Sequence, residues 1–140
     1  MTRLRALAAI ALALTACAPA GTGHLPADLE QRFQQEGILR RADDQVFRYT
    51  YYSRSTRGNR WEDRDASIVV TPQTIYIFKN EKKGLEITPR TRREVDIRRE
   101  ADRLVIAAGS GQSRVSWSFR PPSDPEGWAS DLRSVVDSTR

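Results

Sequence analysis

The chain reads as α+β. Seven short antiparallel strands form a small barrel or a bent double sheet, with an N-terminal helix before them and a C-terminal capping helix after them. Three observations predict this. Between residues 45 and 119, apolar and polar residues alternate with period two in short runs separated by turn residues. The alternation is clearest where Val115, Trp117 and Phe119 oppose Ser116, Ser118 and Arg120. Leu29 and Phe33 before these runs, and Trp128, Leu132, Val135 and Val136 after them, fall at helical spacing. The 140 residues include one cysteine, so no disulfide can form within the chain and an apolar core must hold the fold.

Taken in order, Pro26 suits the first position of a helix, and Gly37 suits its end, with Ile38 closing back on Phe33. We therefore predict a helix from Pro26 to Glu36. From Gln45, Phe47, Tyr49 and Tyr51 alternate with Val46, Arg48, Thr50 and Tyr52 as the first strand. Residues 53–65 read as a polar, arginine-rich loop around Gly58-Asn59. Ser67–Thr71 and Ile75–Phe78 are strands joined by a turn with Pro72 at its first central position. Lys79–Gly84 is a charged turn, and Leu85 and Ile87 mark a short strand ending at Pro89. Val95 and Ile97 begin the next strand, a turn lies near Glu100-Ala101-Asp102, and Leu104–Ile106 forms a strand. Gly109-Ser110-Gly111 is a turn, and the alternation from Val115 to Arg120 is the seventh strand. Pro121-Pro122 stops the sheet. Asp124 is an N-cap, Pro125 the first helical residue, and Glu126 complements the dipole of the last helix.

The N-terminal segment carries a separate message. Arg3 and Arg5 precede the apolar run Ala6–Leu14, too short to span a bilayer and right for a signal peptide. Leu14-Thr15-Ala16-Cys17 then resembles the lipobox of bacterial lipoproteins. The resemblance implies cleavage after residue 16, lipidation of Cys17, and a mature chain beginning there. Ala18 rather than Asp after the cysteine implies, by the same family's sorting pattern, an outer-membrane lipoprotein of the cell envelope facing the periplasm. The expected organisation is a signal peptide at 1–16, a lipidated flexible tether at 17–25 and one domain at 26–140. Loss of residues 1–16 removes two of the 23 basic residues and none of the 18 acidic ones, so the net charge falls from +5 to about +3. Outside the cytoplasm nucleic acid is not an expected partner.

The order of elements over residues 45–140 resembles the pleckstrin-homology-like fold. There, too, seven strands precede a terminal helix whose tryptophan packs into the barrel, the position Trp128 matches. The run Ile68–Phe78, with its turn at Pro72-Gln73, resembles that fold's strand-turn-strand. The extra N-terminal helix and the short strand near Leu85 depart from it. An open sheet with a helix on one face also fits the pattern, and in either case Trp128 is a core residue.

The residues argue against catalysis. The one histidine, His24, lies in the tether, and Cys17 is taken by lipid, so neither a Ser-His nor a Cys-His arrangement is available, nor a zinc site built from them. No cofactor or metal is expected. No glycine-rich phosphate loop is present. The carboxylate groups Asp43-Asp44 and Glu62-Asp63 with Asp65 read as local ion pairing beside Arg60 and Arg64. The candidate binding surface is the stretch carrying Arg54, Arg57, Arg60, Trp61 and Arg64, since arginine and tryptophan are enriched at binding hot spots. The resemblance implies that Arg54, Arg57 and Arg60 meet phosphate-bearing groups, as basic residues of that loop do in the fold. A second basic group is Arg90, Arg92, Arg93, Arg98 and Arg99. The expected function is a lipid-anchored, non-catalytic binding or scaffold module with an envelope protein as partner. The alternative is a binder of an anionic ligand: a lipid head group, lipopolysaccharide or peptidoglycan. A third is a hydrolase inhibitor.

Overall fold

The computed structural model describes residues 23–54, 58–91, 94–110 and 112–138. The expected signal peptide at 1–16, Cys17, the expected tether up to residue 22, and Arg57, Arg92, Arg93 and Gly111 lie outside the described residues.

Helix α1 (Ala27–Glu36) precedes strands β1 (Arg40–Ser53), β2 (Gly58–Val70), β3 (Ile75–Lys79), β4 (Lys82–Ile87), β5 (Val95–Glu100), β6 (Arg103–Ser110) and β7 (Ser113–Phe119), and helix α2 (Pro125–Asp137) follows them. The strands form one antiparallel sheet in the order β4-β3-β2-β1-β7-β6-β5, curled into a half-barrel. The sheet is open rather than a closed barrel, with β4 and β5 at its edges and β1 at its centre.

Local chemistry sets the element ends. Gly37 takes φ of +87°, and its N–H donates to the Phe33 carbonyl at 3.0 Å, which stops α1. The Asp124 carboxylate accepts from Gly127 N–H at the start of α2, with Pro125 in the first turn. Between β2 and β3, the Thr71 hydroxyl accepts from Gln73 N–H at 3.2 Å and Thr74 N–H at 3.0 Å, and donates to the Glu36 carboxylate at 2.6 Å. The Pro72-Gln73 turn is thereby tied to the end of α1.

The sheet buries apolar residues on both faces. On its inner face Phe47, Ile68, Ile77, Ile106, Trp117 and Phe119 pack with Trp128, Leu132 and Val135 of α2. Trp128 meets Phe119 edge to face at 5.4 Å. On the outer face Val69, Tyr76 and Phe78 pack under Leu25 and Phe33, with Leu29 and Ile38 beside them. This double coverage explains why Ile68–Val70 and Ile75–Phe78 are continuous apolar runs rather than alternating ones. Leu25 is buried, and the Gly23 carbonyl accepts from Arg41 at 2.8 Å, so the last residues assigned to the tether are seated on the domain.

Adjacent arginines on β1 hold the two helices. Arg40 bonds Asp131 at 2.6 Å and Asp124 at 2.9 Å, both near or on α2. Arg41 bonds Glu30 of α1 at 3.0 Å. Because successive side chains of a strand point to opposite faces, one arginine serves each helix. These hydrogen bonds to Asp131 and Asp124 raise the Arg40 guanidinium above its usual pKa.

The structure corrects several boundaries. Residues 53–65 do not form a long loop: β2 begins at Gly58 and pairs with β1 from Ser53↔Gly58 through Arg40↔Val70. The ribbon made by the far halves of β1 and β2 runs beyond the helices, so residues 60–65 are exposed on both faces and carry no apolar period. β1 starts at Arg40 rather than near Gln45. A bulge between Ala42 and Gln45 interrupts its alternation there, and Asp44 takes φ of +54°. The charged turn before β4 is only Asn80-Glu81, because Lys82 already pairs with Lys79. Gly109 and Ser110, expected in a turn, belong to β6 and pair with Arg114 and Ser113.

Candidate binding site at the open end of the half-barrel

Helix α2 occupies one end of the half-barrel. Arg40 at the start of β1 and Arg99 at the end of β5, which pairs with Glu126, hold it there. At the other end the inner face is uncovered. Its floor is aromatic because β1 and β7 alternate inward there: Tyr49 lies 4.9 Å from Trp117, ring centre to ring centre, and Phe47 lies 5.9 Å from it. The Arg64 guanidinium rests 4.0 Å above the Tyr49 ring and 5.6 Å from that of Trp117, a cation–π stack.

Arg64 divides two adjoining hollows. One, of about 330 Å³, is lined by Tyr49, Tyr51, Arg60, Trp61, Glu62 and Arg64. The other, of about 370 Å³, lies against the β3–β4 hairpin, bordered by Arg64, Lys79, Lys82, Lys83, Gly84 and Trp117. All three lysines of the chain stand at this second hollow. Arg60, Arg64, Lys79 and Lys82 therefore surround the mouth, with Asp65 also at the second hollow, while Lys83, opposite outward-facing Phe78, reaches toward α1. Among the acids, Glu62 pairs with Arg64, and Lys83 stands 3.7 Å from Glu86. Trp117 is 3 % exposed, and its indole N–H has no hydrogen-bond partner among the described residues. Gly84 makes room for that ring: a Cβ at this position would lie 3.0 Å from it.

The candidate residues read from the sequence are split by the strand they lie on. Arg60 and Arg64 point to the inner face, in register with Tyr51 and Phe47. Trp61, between them in sequence, is 64 % exposed and stacks on the outer face with Arg48, 5.0 Å away. Arg54 is exposed just beyond β1, its N–H donating to the Gln112 carbonyl, and does not border either hollow. Arg57 lies outside the described residues. The second basic group is also divided. Arg98 pairs with Asp96 and Glu100, Arg99 turns to Glu126 of α2, and Arg90 is exposed in the segment between β4 and β5.

Three of the predicted carboxylates are engaged locally: Asp63 with Arg48 at 3.4 Å, Glu62 with Arg64, and Asp43 with Arg41 at 3.3 Å. Among the described residues no three His, Cys, Asp or Glu side chains are grouped to hold a metal ion. His24 stands 3.4 Å from Glu81, both exposed. No described helix is long and apolar enough to cross a membrane.

Sequence reasoning missed the contribution of Tyr49, Trp117 and the lysines. The clustering of the only lysines within Lys79–Lys83 was a signal, but only the register of β2 with β1 and β3 places that hairpin beside Arg64. No protein-family model matches the chain, and no curated protein matches its sequence.

Proposed function

We propose that the chain is a lipid-anchored, non-catalytic binding module of the cell envelope, and that its open mouth takes an anionic group. The observation carrying this reading is the convergence of Arg60, Arg64, Lys79 and Lys82 around an aromatic floor. Arginine offers a fork of donors to phosphate or carboxylate, and lysine adds mobile point charges. The buried indole N–H of Trp117 adds an unused donor beside the same hollow. The Leu14–Cys17 sequence supports anchoring. Seven strands followed by a helix with a buried tryptophan support the pleckstrin-homology-like reading, which is part of this proposal.

The strand-addition reading, with an envelope protein as partner, has less behind it. Lys82 and Lys83 stand on the β4 edge, and lysine on an edge strand opposes pairing with another chain.

The test is an NMR titration of the isotopically labelled chain with inorganic pyrophosphate and, separately, with a muropeptide carrying free carboxylates. We expect shifts at Arg64, Lys79, Lys82 and the Trp117 indole N–H, weakening as salt rises. Pyrophosphate alone shifting them marks a phosphate ligand, and the muropeptide alone a carboxylate ligand. Shifts absent from these groups, or unchanged by Lys82→Glu combined with Lys83→Glu, overturn the reading.

A further inference from the structure

On the outer face of the sheet, away from the mouth, α1 covers Val69, Tyr76 and Phe78 and leaves the rest of β1 and β2 bare. β2 pairs without a bulge on its own side, so Trp61 and Val69 share this face. Here lie three of the chain's exposed large apolar residues: Trp61 at 64 %, Val46 at 56 % and Tyr52 at 37 %. Arg48 lies over the Trp61 ring and reaches Asp63.

The N-terminal segment leaves from the same face. The Gly23 carbonyl is held by Arg41, and the Asp43 side chain packs against Gly23, at the bulge of β1. The next outward residue along β1 is Val46, paired with Asp65 of β2, and Trp61 lies four residues further along β2, about 13 Å away. Five residues lie between Cys17 and Gly23, and these six steps of chain reach about 20 Å when extended. A lipid on Cys17 can therefore enter the same plane that Val46 and Trp61 face.

From this placement we infer that the outer face of β1 and β2, led by Trp61 and Val46, lies on the surface of the bilayer that anchors the chain, with the mouth directed away from the sheet's membrane-facing side. The inference rests on the anchoring proposed above. Tryptophan and tyrosine favour the interface because their rings are apolar and their edges polar. Arginine supports the same placement by reaching to phosphate while its stem stays on apolar surface. Asp63, Asp96 and Glu100 on this face are paired with Arg48 and Arg98, while Asp65, opposite Val46, has no ion-pair partner among the described residues. Arg103 bonds only Ser118, at its hydroxyl and carbonyl, and Arg114 has no acidic partner among the described residues. Burial, together with the like charges of Arg48 and Arg120, lowers the Arg103 pKa against the opposing pull of Asp63 and Asp102. Without a carboxylate partner among the described residues, these two arginines suit lipid phosphates.

The experiment uses tryptophan emission of the chain as the cell makes it, with vesicles of phosphatidylglycerol brominated along the acyl chains. Trp117 and Trp128 are buried, so Trp61 is the reporter. We expect brominated vesicles to quench its emission by roughly half relative to unbrominated ones. Trp61→Phe, on an exposed site, should remove that quenching while leaving the fold intact. Mass spectrometry of Cys17 in the same sample separates the two readings. A lipidated chain on vesicles whose Trp61 is unquenched overturns this inference and leaves anchoring in place. An unlipidated chain whose Trp61 is quenched supports the face and removes the anchor. Quenching that persists in Trp61→Phe also overturns it, because the signal then comes from elsewhere.

Discussion

Ala101 turns the corner between β5 and β6 with φ of +54°, a conformation that costs a residue with a Cβ about 1–2 kcal/mol. Glycine pays part of that back through its freer unfolded chain, so Ala101→Gly should stabilise the protein by about 0.5–1 kcal/mol. Urea unfolding midpoints of the two chains check this, and an unchanged or lower midpoint refutes the strain. Asn80, at φ of +52° in the β3–β4 turn, is a residue type that accepts this region. Asp124 gives a pH prediction. Its hydrogen bond from Arg40, then that from Gly127 N–H, hold its carboxyl below the ordinary value of 3.8. A depressed carboxylate contributes stability above its unfolded value and loses it as pH falls through the folded value. Asp124→Asn, which keeps tolerance of the left-handed backbone, should melt at lower temperature at pH 7, and the two chains should converge as the pH falls through the lowered folded-state value of Asp124. A difference that persists undiminished at low pH would show the charge to be irrelevant. At this scale the sequence was informative wherever side chain and backbone act within a few residues, as at Asp124, Pro125 and Gly37. It was silent on Trp117, whose donor is orphaned by partners distant in sequence.

Among the elements, both helices and the strand pair around Pro72 were legible because their signals are local: apolar spacing, caps, and a proline set for a turn. β2 was not legible beyond Ala66. Its outer half faces water on one side and the polar mouth on the other, so Arg60–Asp65 carries no apolar alternation and reads as a loop. What makes it a strand is fourteen residues of β1 seeking a partner, a tertiary demand invisible in the local pattern. The same misreading gathered Arg60, Trp61 and Arg64 into one surface, when the pleat assigns Trp61 to one face and the arginines to the other. Helix α1 has one fully buried residue, Phe33, whose ring meets that of Tyr76 at a tilt with centres 5.4 Å apart. Phe33→Ala should cost about 3–5 kcal/mol, with Ile38 losing its contact as well. Chemical denaturation of the variant, read with hydrogen exchange in α1, decides between loss of the whole fold and detachment of the helix alone.

For the molecule as a whole, seven strands and a terminal helix were readable, while curvature, openness and the direction of the mouth were not, since these follow from register and bulges rather than from period. Arg40 and Arg41 show how one short stretch organises both sides. Arg41→Ala should speed amide exchange in α1 by about tenfold and leave α2 unchanged, and Arg40→Ala should do the reverse. Equal effects of either substitution on both helices would mean that the arginines act only through global stability.

The same pair has a mechanical meaning. Any pull on the N-terminal segment reaches Gly23, passes through its hydrogen bond to Arg41, and enters β1, the middle strand of the sheet. A load delivered to a central strand is resisted in shear by ladders on both flanks at once, those with β2 and β7. Had the chain started on β4 or β5, the same force would unzip one edge, a bond at a time.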